Sequence, residues 1–359
     1  MTKDRKVGIG IVGARFAAEL HAIAYSRCAD ANIVAVCSNQ PDELESFASR
    51  FQISKAYLDY KQMVQDPEVE VVSICVPNFL HHQVAMAACE AGKHVVCEKP
   101  LATTIEDALE MMEAFEKANL KLMYAEDWNF APALVRAKEI VDEGAIGRIL
   151  YVRAKESHNG SHSPFAQTLE YCGGGALLHL GCHPAAFIRY ITGQEVVEVV
   201  GATTEGLKEN LIHHQMEGED FGVAFLTLAD GSRALIEGNY ITLGGMDDCV
   251  ELYGTKGVLK VDLTFGSPIS VYSTEGYSYV LEKADVSTGW TRPAVDEFYS
   301  LGYQTELAAF IKCVKEDLQI PEGAGASDGL AALAIIKAAY ISAKEGRPVD
   351  PRKLVAIGG

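Results

Sequence analysis

The chain has 359 residues, of which 48% are hydrophobic and 22% charged, ordinary values for a folded protein with room for two domains. Its 31 basic residues against 49 acidic ones give a formal charge of −18, which argues against nucleic acid, anionic membrane or polyphosphate as main partner and suits a neutral small molecule. No apolar run approaches the roughly 18–20 residues of a membrane span, and the opening lacks the apolar core of a signal peptide, so no membrane association and a cytoplasmic protein are expected.

In chain order, Val7–Val12 is a short apolar run and Phe16–Arg27 has helical spacing. Ile33–Cys37 is strand-like, and Pro41–Phe51 opens with a helix-start signal. Val69–Val76 reads as a buried strand, followed by a helix over Phe79–Ala91. His94–Cys97 and Leu120–Tyr124 repeat the strand pattern around a helix near Thr104–Lys117. Short strands alternating with longer helices mean βαβ units and a parallel sheet. Nine cysteines, an odd number without a CxxC pair, read as small buried hydrophobes of a reducing compartment.

Near Trp128 the character changes. After a helix over Pro132–Glu143 come period-two runs at Ile149–Lys155, Val196–Thr203, Phe221–Leu228, Arg233–Thr242, Cys249–Tyr253 and Val258–Val261, separated by turn-prone pieces. Helical stretches at Val295–Lys315 and Ala326–Lys344 close the chain. The expected fold is α/β: an N-terminal Rossmann domain with a parallel sheet over 1–128, plus a C-terminal α+β domain with a large, mostly antiparallel open sheet over 129–359, its last helices free to pack back on the first domain. Both alternating sets of Phe221–Leu228 are largely apolar, which predicts a homo-oligomer, dimer or tetramer, packed sheet face to sheet face.

The first strand runs into Gly13-Ala14-Arg15-Phe16-Ala17-Ala18. Gly13 and Ala18 fit a dinucleotide-binding turn, while Arg15 stands where a second glycine would let backbone approach the pyrophosphate. After the second strand, Cys37-Ser38-Asn39 replaces the carboxylate usual in NAD sites. Ser38, Asn39 and Arg15 suit a 2′-phosphate, and Arg15 equally suits the pyrophosphate, so NAD and NADP both stay open.

Pro77-Asn78-Phe79-Leu80-His81, Ala91-Gly92-Lys93-His94-Val95, Glu98-Lys99-Pro100-Leu101, the glycine motif Gly173–His183 and the ending Ser342–Val349 closely resemble the glucose–fructose oxidoreductase / inositol dehydrogenase / MocA family, in the expected order. The resemblance implies a nicotinamide cofactor, held by Gly13, Ala14, Arg15, Phe16, Ala18, Ser38, Asn39, Pro77, Asn78, His81, Glu98, Lys99 and Trp128. It implies hydride transfer to or from a ring carbon of a sugar, glycoside or cyclitol. Lys99 matches the lysine that donates to the reacting oxygen, with a cis bond to Pro100 possible, and His183 matches the catalytic base. The family commonly carries aspartate four residues earlier, where this chain has His179; a helix over Leu178–Ile191 would put His179 and His183 on one face. His179 joins Lys99 and His183 as a candidate catalytic and substrate-binding residue.

Tyr171 and Trp290 could stack on a sugar face, and His158 and His162 read equally as substrate contacts or as exposed loop polarity. The Gly173–Gly175 turn is read as room for substrate beside cofactor. His179 and His183 with Glu126, His158 or His162 could form a divalent-metal set, but no HExxH or paired-cysteine signature supports one, and no metal is expected. Two other functions stand beside the dehydrogenase: glycoside cleavage through transient oxidation and elimination, and a non-catalytic dinucleotide-binding sensor. A tightly held cofactor recycled in place also stays open.

Overall fold

A computed structural model describes residues 5–161, 163–264, 266, 269, 271–276, 288–291 and 295–357. The chain divides into two compact units: residues up to Asp127 with Gly302–Leu330, and Trp128–Leu301 with Ala331–Ile357.

The first unit alternates β1 (Val7–Val12), α1 (Phe16–Ser26), β2 (Ala31–Cys37), α2 (Pro41–Phe51), β3 (Lys55–Tyr57), α3 (Tyr60–Met63), β4 (Val71–Ile74), α4 (His81–Glu90), β5 (His94–Cys97), α5 (Ile105–Ala118) and β6 (Leu122–Tyr124). Every residue of β1 and of β4 is buried, as strands covered on both faces require. The helices carry their own boundaries. Pro41 lies in the first turn of α2 with Asp42 and Glu43, which complement the positive end of the helix dipole. The Thr104 hydroxyl accepts the Asp107 N–H at 3.1 Å to cap α5, which ends at Asn119 in the left-handed region. All neighbouring strands run parallel in the order β3-β2-β1-β4-β5-β6, the doubly wound order whose reversal beside β1 opens a crevice at the strands' C-terminal ends.

The second unit holds α6 (Pro132–Asp142), β7 (Ile149–Ser157), α7 (Leu169–Cys172), α8 (Ala176–His179), α9 (Cys182–Thr192), β8 (Val196–Thr203), β9 (Phe221–Leu228), β10 (Arg233–Asn239), β11 (Cys249–Gly254), β12 (Val258–Asp262), β13 (Val271–Ser273), β14 (Gly289–Thr291) and α10 (Glu297–Ser300). Its main sheet has the order β12-β11-β7-β10-β9-β8; β7 and β10 pair parallel and every other pair is antiparallel. Helices α8 and α9 pack on one face. There Gly222, Ala224, Leu226 and Leu228 of β9 are buried, whereas on the opposite face Val200 and Phe225, cross-strand neighbours, are 45% and 42% exposed.

The chain closes with α11 (Tyr303–Lys315), α12 (Ala326–Glu345) and α13 (Pro351–Ile357). Within the first unit α11 lies against α1, and Lys315 pairs with Asp30 at 2.5 Å. The continuous helix expected over Val295–Lys315 is broken, because Gly302 takes φ +103° between α10 and α11. The 20-residue α12 has a window of mean hydropathy 1.3, long and apolar enough by those measures to span a membrane. That corrects the sequence reading, which passed over a run punctuated by Asp328, Lys337 and Lys344. Its Leu330, Ala332, Leu333, Ile335, Ile336, Ala338 and Ala339 are buried in the protein.

Candidate active site

In the first unit the β1–α1 turn is built around Gly13. Its φ is +123°, and a Cβ there would lie 2.2 Å from the Cys75 carbonyl oxygen, so only glycine lets the turn pass so close to β4's end. Ala18, in the first turn of α1, is fully buried, as a small residue at that place must be. No side-chain cap closes the N-terminus of α1, the place a pyrophosphate takes in this fold. These features fit a dinucleotide. Ala14 is half-buried and Phe16 exposed in the same turn. The Arg15 guanidinium reaches across to Glu43 in the first turn of α2, at 2.8 and 3.0 Å. Beyond β2, Ser38 is half-buried and Asn39 exposed, both bonded to Gln40.

After β4, Pro77 is half-buried and Asn78 buried. His81 is fully buried, with Nδ1 2.8 Å from the Pro100 carbonyl and Nε2 3.0 Å from that of Val76. Its ring ties the two turns together, and burial pushes its pKa down.

Glu98 and half-buried Lys99 follow β5, and the Lys99–Pro100 peptide is cis. Sequence reasoning missed what holds them. Glu98 Oε1 lies 2.7 Å from Nε2 of the fully buried His21, whose Nδ1 is 2.7 Å from Ser73 Oγ, while Glu98 Oε2 accepts the Lys99 N–H at 3.2 Å. Desolvation disfavours charge on His21, but Cys75 and Glu98 outweigh it and raise its pKa to about 10. A polar pair inside the apolar faces of α1 and β4 was the available signal. In α11 the fully buried Glu306 is likewise held well above the ordinary carboxyl range, by desolvation first and then by Asp127, Glu98 and Glu126.

In the second unit the glycine motif packs against the start of β9. The Glu219 carboxylate accepts the N–H groups of Gly175 and Leu177 at 3.0 and 2.9 Å and the Tyr340 hydroxyl at 2.7 Å. A Cβ on Gly175 would lie 2.2 Å from the Glu219 carbonyl oxygen. Gly175 therefore serves close backbone packing.

The helix expected over Leu178–Ile191 is interrupted at Leu180 and Gly181, which places His179 at the end of α8 and His183 in the first turn of α9. Half-buried His179 turns its Nδ1 to the Tyr240 hydroxyl at 2.7 Å, and His213 Nε2 lies 2.7 Å from the Tyr240 carbonyl. His183 is buried, stacked on the Trp128 indole at 6.0 Å and 16°. Its Nε2 lies 3.7 Å from Glu156 Oε2, and His158 Nε2 lies 3.3 Å from Glu156 Oε1 and 4.0 Å from Asp248 Oδ2. His158, Glu156 and Asp248 are all buried. Half-buried Tyr171 packs edge-on against Phe165 at 5.8 Å. Trp290 is 76% exposed on β14 against Tyr272, and His162 lies outside the described residues. The structure thus brings His158 and His183 together around Glu156 and turns His179 to a different partner.

Residues 7–126 match the family described as the oxidoreductase family with NAD-binding Rossmann fold, and residues 134–260 match its GFO/IDH/MocA C-terminal domain. The chain belongs to the Gfo/Idh/MocA oxidoreductase family. Among Gfo/Idh/MocA relatives, the myo-inositol 2-dehydrogenase of Thermotoga maritima is 27% identical over 97% of this chain and 99% of its own. The levoglucosan dehydrogenase of Pseudarthrobacter phenanthrenivorans is 34% identical over about half of each chain, 53% and 52%. Of solved Gfo/Idh/MocA structures, GenD2 from gentamicin A biosynthesis, in complex with NAD, superposes with a TM-score of 0.89 at 25% identity, covering 96% of both chains.

Proposed function

We propose that this oxidoreductase is an NAD-dependent dehydrogenase acting on a secondary hydroxyl of a sugar, glycoside or cyclitol ring, or on the matching ketone in reverse. The observation that carries the reading is the buried His183, stacked on Trp128 and facing Glu156, in a chain whose first unit presents the Gly13 turn and the Glu98-Lys99-Pro100 turn. The relatives named for myo-inositol and levoglucosan support the substrate class.

When bound, NAD would supply the hydride acceptor at its nicotinamide ring. Gly13 and the start of α1 would hold its pyrophosphate. His183 accepts the hydroxyl proton at Nε2, with the ring hydrogen on Nδ1 before the reaction. The Lys99 amine would donate to a reacting oxygen and polarise a carbonyl. NAD is preferred because Glu43 already neutralises the guanidinium that would meet a 2′-phosphate. The uncovered apolar face around Val200 and Phe225 is the contact with a second copy, giving a homo-oligomer.

The test mixes the protein, NAD and a panel of sugars, glycosides and cyclitols while following 340 nm absorbance and products together. A net rise with an oxidised ring product is expected. Aglycone release without net change would replace dehydrogenation by redox-assisted cleavage, and bound dinucleotide with neither signal would leave a sensor.

A further inference from the structure

Glu156 belongs to β7, which runs through the middle of the second sheet, and it occupies a strand position facing α9. A carboxylate buried to 4% exposure costs several kcal/mol in general unless charge or hydrogen bonds offset it. Two imidazoles lie beside it here from different elements: His158, just beyond the strand, stands nearest Oε1, and His183 of α9 stands nearest Oε2. Asp248, whose Oδ1 accepts the Ser157 N–H at 3.0 Å, places its Oδ2 4.0 Å from the same His158 Nε2 that faces Glu156. His158 Nε2 thus lies nearest one oxygen of Glu156 and His183 Nε2 nearest the other. His179, the neighbour one turn earlier in sequence, is turned to Tyr240 and supplies no carboxylate.

Building on the dehydrogenase reading, we propose that Glu156 is a substrate-binding and specificity-determining carboxylate: it accepts a hydrogen bond from the hydroxyl adjacent to the one being oxidised, which selects vicinal diols over isolated secondary alcohols. Nε2 of His183 and Oε2 of Glu156, 3.7 Å apart, are two acceptors spaced for two neighbouring hydroxyls of one ring. With NAD bound, its nicotinamide would supply the acceptor for the hydride of the breaking C–H bond, and the O–H proton passes to His183 Nε2. The imidazolium so formed then stands beside the Glu156 carboxylate, which stabilises a charge that develops only as the reaction proceeds. Glu156 itself gains and loses no proton.

The test measures binding and turnover separately on the holoprotein, with myo-inositol, levoglucosan and methyl α-glucopyranoside beside their monodeoxy counterparts. Wild type should bind and oxidise the parent compound at least about 100-fold better than the analogue lacking the neighbouring hydroxyl, since a buried charged acceptor left unpaired is costly. Glu156→Gln should lower kcat about 100-fold, leave the NAD Kd unchanged, and shrink the parent-to-deoxy binding ratio below about tenfold; Glu156→Asp should recover part of that ratio. The same ratio in Glu156→Gln as in wild type overturns the proposal. If the variant does not fold, wild type alone decides: equal binding of parent and deoxy compounds overturns it. Turnover with an unchanged ratio sinks this inference and leaves the dehydrogenase standing. A ratio that falls as expected in a protein without net turnover sinks the dehydrogenase and leaves the Glu156 contact. Binding of neither compound overturns both.

Discussion

His21 Nε2 and Glu98 Oε1 are 2.7 Å apart in the interior of the first unit, joining α1 to the turn that carries Lys99. Each member offsets a charge that burial would otherwise disfavour. Removing the imidazole strands the carboxylate, so His21→Ala should cost about 3–5 kcal/mol in urea unfolding. The folded-state pKa of His21 is raised to about 10, so its contribution is full below the unfolded value near 6.5 and lost as pH climbs toward 10. Stability should fall across that window in wild type, and His21→Gln should flatten the fall. A parallel pH profile in the variant would contradict the charged pair.

Glu306 works in the opposite sense for a carboxyl group. Its folded pKa is raised, so the unfolded chain ionises it first and folding loses stability as pH rises above about 4.5. Glu306→Gln should therefore raise Tm more at pH 8 than at pH 5. An equal shift at both pH values, read by scanning calorimetry, would show that the group is ionised in the folded state.

The Arg15–Glu43 pair makes cofactor choice testable by one substitution. Both side chains are partly exposed, which keeps the effect modest. Glu43→Gln should tighten NADPH binding by roughly five- to tenfold while changing NADH binding little, as read by reduced-nicotinamide fluorescence. No gain for NADPH would remove Glu43 from the selection.

The open face of the second sheet predicts assembly. Light scattering at micromolar concentration should report a dimer or tetramer for wild type. Phe225→Arg, which puts charge on an exposed strand position without touching the covered face, should shift it to monomer. A wild-type monomer would contradict the assignment.

Much of the scaffold was legible from residues alone where period and punctuation agree. β1, β5, β8, β9 and α2 have the bounds that apolar runs, alternation and the Pro41 start indicate. β3 and α3, at three and four residues, are too short to show any period, and the break at Gly302 depends on a positive φ that a helical pattern hides. The candidate site divides the same way. Gly13, Glu98, Lys99 and His183 stand in motifs that are local in sequence. Glu219 with Tyr340, His21 with Glu98 and Glu156 with His183 are joined only by the fold, at separations of 121, 77 and 27 residues (183 minus 156 for the last). Polar residues inside apolar stretches, such as Ser73 in β4 and Glu306 in α11, were the one trace they left in the sequence.

The most direct test of the central claim is single-turnover hydride transfer, followed at 340 nm with an active sugar or cyclitol, in wild type, His183→Ala and Lys99→Ala after confirming bound dinucleotide by mass. Each variant should retain the dinucleotide and slow the transfer by about 10²–10⁴-fold. Near-normal transfer in either would contradict the role given to that residue, and near-normal transfer in both would contradict the account.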